Sequence, residues 1–249
     1  LGPLTRGETL ATVAAHGALD ADAAGSGWAL RGRVLAENAA RAAVFIVWDA
    51  PGLTCFVLSR DTAGLALGAP QPALGTRALP LTPLVLERAP VGPGDALGTA
   101  DDGGASRDLA LALLRIGAAA IAVGLAQAAF EAALRYSQQR TAFGKPIAQH
   151  QAIQLKLADM ATSTAAARLL LGAAAERGGH WPPLAKVLAT ETACDVTLEA
   201  MRVHGGYGYT AEFPVERYYR DAAQLSVFPR DNDAERRAVA AALVEASRT

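Results

Sequence analysis

Arg135-Tyr136-Ser137-Gln138-Gln139-Arg140-Thr141-Ala142-Phe143-Gly144-Lys145-Pro146-Ile147 decides how the second half of this chain is read. Before it, Ser106–Gln139 reads as one long helical stretch; after it, Ile147–Arg177 reads as a second. Gly144 and Pro146 interrupt the pattern between them, one by backbone freedom and the other by lacking an amide donor. The segment is therefore a junction between two long helices. Ser106 is predicted to cap the first, with Asp108 near its positive end. Gly178-Gly179 ends the second, Pro182-Pro183 starts a third that stops near His204 at Gly205-Gly206, and a last helix follows Asp231 or Asn232. Long helices joined by short turns predict an antiparallel four-helix bundle. Leu155, Ala158, Ala165, Leu169 and Ala173, at helical spacing, are read as its core or interface positions.

The first hundred residues have another period. Thr9–Ala15, Trp28–Leu35, Ala43–Trp48, Leu53–Ser59 and Thr82–Glu87 read as strands between turns such as Ala24-Gly25-Ser26-Gly27 and Ala50-Pro51-Gly52. Strands without intervening helices predict an antiparallel barrel or sandwich. Gly92–Ser106, rich in Gly and Asp, is the natural linker. The expected organisation is α+β, with a β-rich domain over 1–98 and a bundle over 105–249.

Composition narrows the function classes. A net charge of -1 argues against nucleic-acid binding, which needs a clear excess of Lys and Arg. The apolar run around Ile116–Ala129 is read as too short for a membrane span. The two cysteines, Cys55 and Cys194, are too few for a disulfide framework or a Cys-based metal site, and a reducing cytoplasm is the default expectation. No signal peptide is read at Leu1–Arg6.

Two segments carry candidate chemistry. Arg140 is a fork of donors suited to phosphate, Phe143 offers a flat face for a purine, and His150-Gln151 opens the next helix, where an amide reads a polar ring edge. Met201-Arg202-Val203-His204-Gly205-Gly206-Tyr207-Gly208-Tyr209-Thr210 sets three glycines within four positions, which admits backbone amides close to a ligand. Taken singly, each residue also fits an ordinary helix end. His204 has no ligand partner at metal spacing, so no metal site is expected.

Taken in order, Arg140-x-x-Phe143-Gly144-Lys145-Pro146-Ile147, His150-Gln151, His204-Gly205-Gly206-x-Gly208-Tyr209, Pro214-Val215-Glu216-Arg217 and Tyr219-Arg220-Asp221-Ala222 resemble the C-terminal half of an acyl-CoA dehydrogenase. The β-rich half is similar to the family's middle domain more loosely, through Trp28-Ala29-Leu30-Arg31-Gly32-Arg33. The resemblance implies a flavoprotein that holds FAD and performs α,β-dehydrogenation of an acyl-CoA or other acyl thioester. It implies a dimer or tetramer of like or unlike subunits in which a neighbour completes the ADP part of the site, and an electron-transfer flavoprotein as the later oxidant. It puts Arg140, Phe143, His150 and Gln151 beside the ADP moiety, Arg202, Gly205 and Gly206 along the other flavin-contacting turn, and Arg115 near the acyl-CoA. Leu1–Glu8 looks like the join after the family's N-terminal helical domain, which the sequence does not include.

The family's base is a glutamate, implied at position 229 or, in some members, at 114; here these are Pro229 and Leu114. Asp231 and Asp233 are the substitute candidates. The flavin-contacting runs of the β-domain are replaced by Ala15-His16-Gly17-Ala18-Leu19-Asp20 and Leu35-Ala36-Glu37. A second reading therefore stands beside the active enzyme: a catalytically deficient subunit that completes the FAD site of a full-length partner. A third is a relic whose bundle only oligomerises.

Overall fold

Period-two burial builds the first half. In the computed structural model, which describes residues 2–14, 16–50, 52–98 and 103–248 (side chains of His16 and Ala18 excepted), a short helix α1 (Gly2–Thr5) precedes seven strands. These are β1 (Ala11–Val13), β2 (His16–Ala24), β3 (Gly27–Glu37), β4 (Val44–Trp48), β5 (Cys55–Ser59), β6 (Leu65–Leu67) and β7 (Leu81–Val91). They form two sheets, ordered β1-β4-β5 and β2-β3-β7-β6. Leu19, Leu30, Val34, Leu84 and Leu86 from one sheet share a core with Phe45, Val47, Phe56 and Leu58 from the other. This is a sandwich, with no closed barrel among the described residues. One pairing departs from the antiparallel expectation: β1 runs parallel to β4.

The inward positions of β7 are even at Thr82, Leu84 and Leu86 and odd at Ala89 and Val91. The switch occurs at a bulge where the β3 register slips between Leu30 and Gly32 and Arg88 takes φ 53°. An extra residue reverses which face each side chain takes. That is why alternation on the sequence stops at Glu87 while the strand continues. The predicted strand ending at Ala15 and the turn at Pro51 fall partly outside the described residues, as do positions 99–102 of the linker.

The second half is helical: α2 (Gly103–Gln139), α3 (Gln151–Arg177), α4 (Trp181–His204), α5 (Val215–Leu225) and α6 (Asn232–Ala246). The chain divides into two compact units, Leu1–Ala73 with Arg77–Leu111, and Leu74–Thr76 with Ala112–Thr249. Helix α2 starts three residues before the predicted cap. Ser106 lies inside its first turn, where its hydroxyl donates to the Gly103 carbonyl at 2.7 Å and accepts from the Trp48 indole at 3.3 Å. The apolar run is also longer than the sequence reading took it to be. By length and composition α2 is long and apolar enough to cross a membrane, and its Ala118, Ala119, Ala122, Val123, Ala126, Ala129 and Ala133 are buried in the bundle core.

On α3 the positions read as core or interface lie off the buried face. Leu157, Met160, Thr164, Ala167 and Ala174 are buried, while Leu155 and Leu169 are 59% and 77% exposed. Helix α4 is central, and its buried Thr190 and Thr197 hydroxyls donate to carbonyls one turn back, at 2.9 and 2.6 Å. The Arg220-Asp221-Ala222 motif is structural within its own unit. Arg220 pairs with Glu216 at 2.8 Å and donates to the Leu74 carbonyl at 3.0 Å, while Asp221 accepts from the Thr76 amide at 2.6 Å.

Lys186 has no solvent exposure. Its ammonium donates to the carbonyls of Ser226 (3.0 Å) and Arg230 (2.6 Å) and to Asn232 Oδ1 (2.7 Å). Burial pushes its pKa down to about 8, against the pull of Glu235 and Asp231. In the unfolded chain the amine titrates at its ordinary 10.5. Between these values the unfolded chain keeps a proton that the folded one has released, so stability rises from pH 8 to 10.5 and is lost as pH falls back through about 8. Urea unfolding at about pH 7.5 and about pH 10 is expected to give the wild type a gain of about 2–3 kcal/mol that Lys186→Met lacks.

Candidate cofactor-binding site

Helix α2 ends at Gln139, and the chain folds back as a hairpin of β8 (Thr141–Ala142) and β9 (Lys145–Pro146). Its two central residues, Phe143 and Gly144, have φ 53° and 78°, the left-handed pair that a two-residue hairpin needs. Glycine adopts this freely, whereas phenylalanine does so at a cost of about 1–2 kcal/mol. The Phe143 side chain is nevertheless displayed to solvent, 96% exposed. His150 braces the hairpin from the next turn: its ring meets Phe143 edge-on at 6.1 Å and its Nε2–H donates to the Ala142 carbonyl at 3.1 Å. A strained aromatic held outward is arranged for something outside its own chain segment.

The two motifs meet. A pocket of about 430 Å³ is lined by Tyr136, Arg140 and Ile147 on one side and by His204, Gly205 and Gly206 on the other. Arg140 is exposed, and its guanidinium makes no hydrogen bond or ion pair among the described residues, while its backbone bonds Tyr136 and Ile147. His204 is buried, stacked on Tyr136 at 4.3 Å, and its Nδ1–H donates to the Ala200 carbonyl at 2.7 Å. Burial holds its pKa below the ordinary value, so the ring is neutral at pH 7 and leaves Nε2 as an acceptor. The sequence singled out neither Tyr136 nor the stacking role of His204. Tyr136 does lie one helical turn before Arg140, which is the signal that could have found it.

Three glycines of the second motif differ in what they are for. Gly205 sits at φ 59° beyond the end of α4, a conformation that side chains resist. A Cβ on Gly208 would run into the Met201 carbonyl oxygen. A Cβ on Gly206 would meet nothing within 4 Å, so the fold itself does not demand that glycine. Gln151 and Arg202 lie outside the pocket lining. Gln151 is exposed at the first position of α3, and Arg202 pairs with Glu199, which also holds Lys156.

The positions that the resemblance ties to substrate and base fall elsewhere in the same unit. Arg115 donates from Nε to Glu235 Oε2 at 2.8 Å, with side chains 12% and 0% exposed. Leu114 precedes it in α2, and Pro229 is buried in the loop before α6. Asp231 is the cap of α6. Its Oδ1 accepts from the Ala234 amide at 2.8 Å, and that bond holds the carboxyl below the usual carboxylate range. Asp233 is exposed and accepts from Arg236 at 3.1 Å. Both substitute candidates are thus engaged in helix-end work. In the β-domain, residues 16–24 form an unbroken antiparallel ladder with β3, so no loop is left there to cradle a ligand. A Cβ on Gly17 would strike the Arg33 carbonyl oxygen, which gives that glycine a packing reason. Ala15 lies outside the described residues. Glu37 is half-buried, and burial pushes its pKa up. Among the described residues no cluster of His, Cys, Asp and Glu fits a metal ion.

Residues 102–244 match the family model described as acyl-CoA dehydrogenase, C-terminal domain. The chain belongs to the acyl-CoA dehydrogenase family. It is 35% identical over 200 residues to a 3-(aryl)acrylate reductase of Clostridium sporogenes, covering 78% of this chain and 53% of that protein. It is also 35% identical over 249 residues to the mitochondrial short-chain specific acyl-CoA dehydrogenase of Bos taurus, covering 93% and 60%. The structure of butyryl-CoA dehydrogenase from Megasphaera elsdenii superposes with a TM-score of 0.90 at 31% identity, covering 97% of this chain and 70% of that one. The chain therefore spans only part of the length of its relatives. Both segments of the pocket fall inside the matched C-terminal domain of the family.

The three glycines should separate by stability. In thermal or urea unfolding, Gly206→Ala is expected to stay within about 0.5 kcal/mol of the wild type. Gly205→Ala should lose about 1 kcal/mol and Gly208→Ala about 2–3 kcal/mol.

Proposed function

We propose that this chain is the β-domain and bundle of an acyl-CoA dehydrogenase-type flavoprotein that performs FAD-dependent α,β-dehydrogenation of an acyl thioester. The observation that carries the reading is the pocket joining Arg140 to Gly205 and Gly206. The residues present fit the ADP half of the cofactor. Arg140, unpaired and exposed, supplies a fork for a pyrophosphate oxygen. Gly206 leaves the approach to the backbone open, and the outward ring of Phe143 offers a face to an adenine. Neutral His204 and Tyr136 form an apolar wall that adds no charge. Bound FAD would supply the oxidising ring that accepts the β-hydride. His150 keeps the hairpin in shape, while Gln151 and Arg202 flank the site from the two helix ends.

The reading includes a dimer or tetramer, of like or unlike subunits, in which this face serves a neighbour's FAD. The exposed apolar positions Leu155 and Leu169 on α3 are consistent with such a contact. Arg115 near the thioester, an electron-transfer flavoprotein as the later oxidant, and a cytoplasmic setting complete the proposal.

A second reading is favoured by one specific observation. Pro229 and Leu114 stand at the two positions where the resemblance implies the family's base, and neither side chain accepts a proton. The chain would then be a catalytically deficient subunit that lends its half-site to a partner. The visible spectrum of the purified chain with FAD, after desalting, separates the readings. Retained flavin that bleaches with an acyl-CoA is the result expected of the dehydrogenase. Flavin that is held only after mixing with a full-length relative supports the deficient subunit, and none under either condition would sink both. Arg140→Ala is expected to weaken FAD retention by about 10–100-fold.

A further inference from the structure

His204 brings an acceptor to the pocket wall that no donor among the described residues answers. The residue is 3% exposed, and its ring is held from three sides. It stacks on Tyr136 with centroids 4.3 Å apart, meets Phe213 at 5.2 Å, and donates from Nδ1 to the Ala200 carbonyl at 2.7 Å. A carbonyl takes only a donor, so the proton sits on Nδ1 and Nε2 carries a lone pair. Nε2 makes no hydrogen bond among the described residues. Nor is it one of the enclosed atoms that lack a partner, which are Thr82 Oγ1 and Glu235 Oε1. It therefore keeps an opening, and the cavity that His204 lines is the one shared with Arg140, Gly205 and Gly206. Native folds rarely hold a nearly buried acceptor idle, because its desolvation is then uncompensated.

The group that answers Nε2 has to donate. Phosphate oxygens are acceptors, and lone pairs set face to face repel, so the pyrophosphate belongs with Arg140 and not with this wall. We propose that His204 reads the adenosine part of the cofactor, accepting at Nε2 a hydrogen bond from one of its O–H or N–H groups, and so fixes which end of the ADP half enters the pocket; this rests on the flavoprotein reading above. The donors that adenosine offers are the ribose hydroxyls and the adenine amine. Among the described residues that line the pocket, Arg140 carries the only charge, and Tyr136 and Tyr207 are the other groups that titrate. No carboxylate among them helps the ring to take a second proton, and burial holds its pKa below the ordinary value. A protonated ring would turn Nε2 into a donor, which repels an adenosine donor and attracts a phosphate. The two placements of the ligand therefore respond to acid with opposite sign.

Calorimetric titration separates the outcomes. ADP, 2′-deoxy-ADP, 3′-deoxy-ADP and inosine diphosphate, which lacks the amine, are each titrated into the wild type and into His204→Phe. That variant keeps a ring against Tyr136 and loses the acceptor. The wild type is expected to bind at least one analogue about 5–10-fold more weakly than ADP, and His204→Phe to bind ADP and that analogue alike. A weakened deoxy-ADP assigns the donor to the ribose, and a weakened inosine diphosphate assigns it to the amine. Equal affinity of all the ligands for the wild type, or the same preference kept in folded His204→Phe, would overturn the inference and leave Nε2 to water. The imidazole nitrogens of the wild type, followed by NMR against pH, give a measure that needs no variant. The probe is ADP-ribose, whose pyrophosphate diester does not titrate near neutrality. Its binding is expected to lower the pKa of His204 further, because the bound donor favours the neutral ring. A rise would place phosphate at Nε2, and either a rise or no change would overturn the proposal. A wild type that binds ADP without these signs keeps the cofactor reading and loses the inference, and one that binds neither ADP nor FAD defeats both.

Discussion

An ammonium group with no exposure has to be surrounded by acceptors, and Lys186 takes all three of its own from Ser226, Arg230 and Asn232. Those bonds pin the loop between α5 and α6 to the N-terminal half of α4, and the Arg115–Glu235 pair pins α6 to α2. The surrounding core is largely alanine. Alanine contacts are small and nearly interchangeable, so helices packed on them slide past one another at little cost. Directional bonds in a low-dielectric interior do not permit that sliding, because a displaced donor is left unpaired. The polar cluster therefore sets the register of the bundle, and the register decides which helix ends meet.

The ends that meet are those of α2 and α4, and both are C-terminal. A helix C-terminus carries partial negative charge and does not by itself favour a phosphate. The pocket offsets this with the guanidinium of Arg140, set just beyond one helix end, and with the glycine turn beyond the other. The neutral state of His204, maintained by burial, adds an acceptor without a charge. The hairpin at Phe143 extends the same surface outward, at the expense of a left-handed backbone at a bulky residue. Each of these features costs the isolated chain something, and the costs concentrate around one pocket.

Much of this was legible in the sequence. Gly144, Pro146, Gly178-Gly179 and Pro182-Pro183 divided the helical half correctly, because breakers act locally and need no tertiary context. The ordered motifs brought Arg140 together with Gly205 and Gly206, and these share one pocket in the structure. What escaped depends on contacts between distant residues. The inner face of α3 was not told apart from its outer apolar positions, because alanine and leucine recur on two sides of that helix, so periodicity alone cannot separate Leu157 and Met160 from Leu155 and Leu169. The strand from His16 was hidden by its small and acidic residues, and the full length of β7 by the bulge at Arg88. Ser106 had the chemistry of a cap, but its hydroxyl is taken by Trp48 and Gly103.

The central claim is that the face formed by Arg140, Gly205 and Gly206 receives the ADP half of a flavin dinucleotide. Titrating the isotopically labelled chain with ADP alone, followed by amide and arginine side-chain NMR, tests this without requiring a complete flavin site. Saturable shifts confined to Arg140, Phe143 and the turn at Gly205–Gly206, and abolished by Arg140→Ala, are what the account predicts. Shifts elsewhere with none at these residues, or no response at millimolar-order ADP, would contradict it.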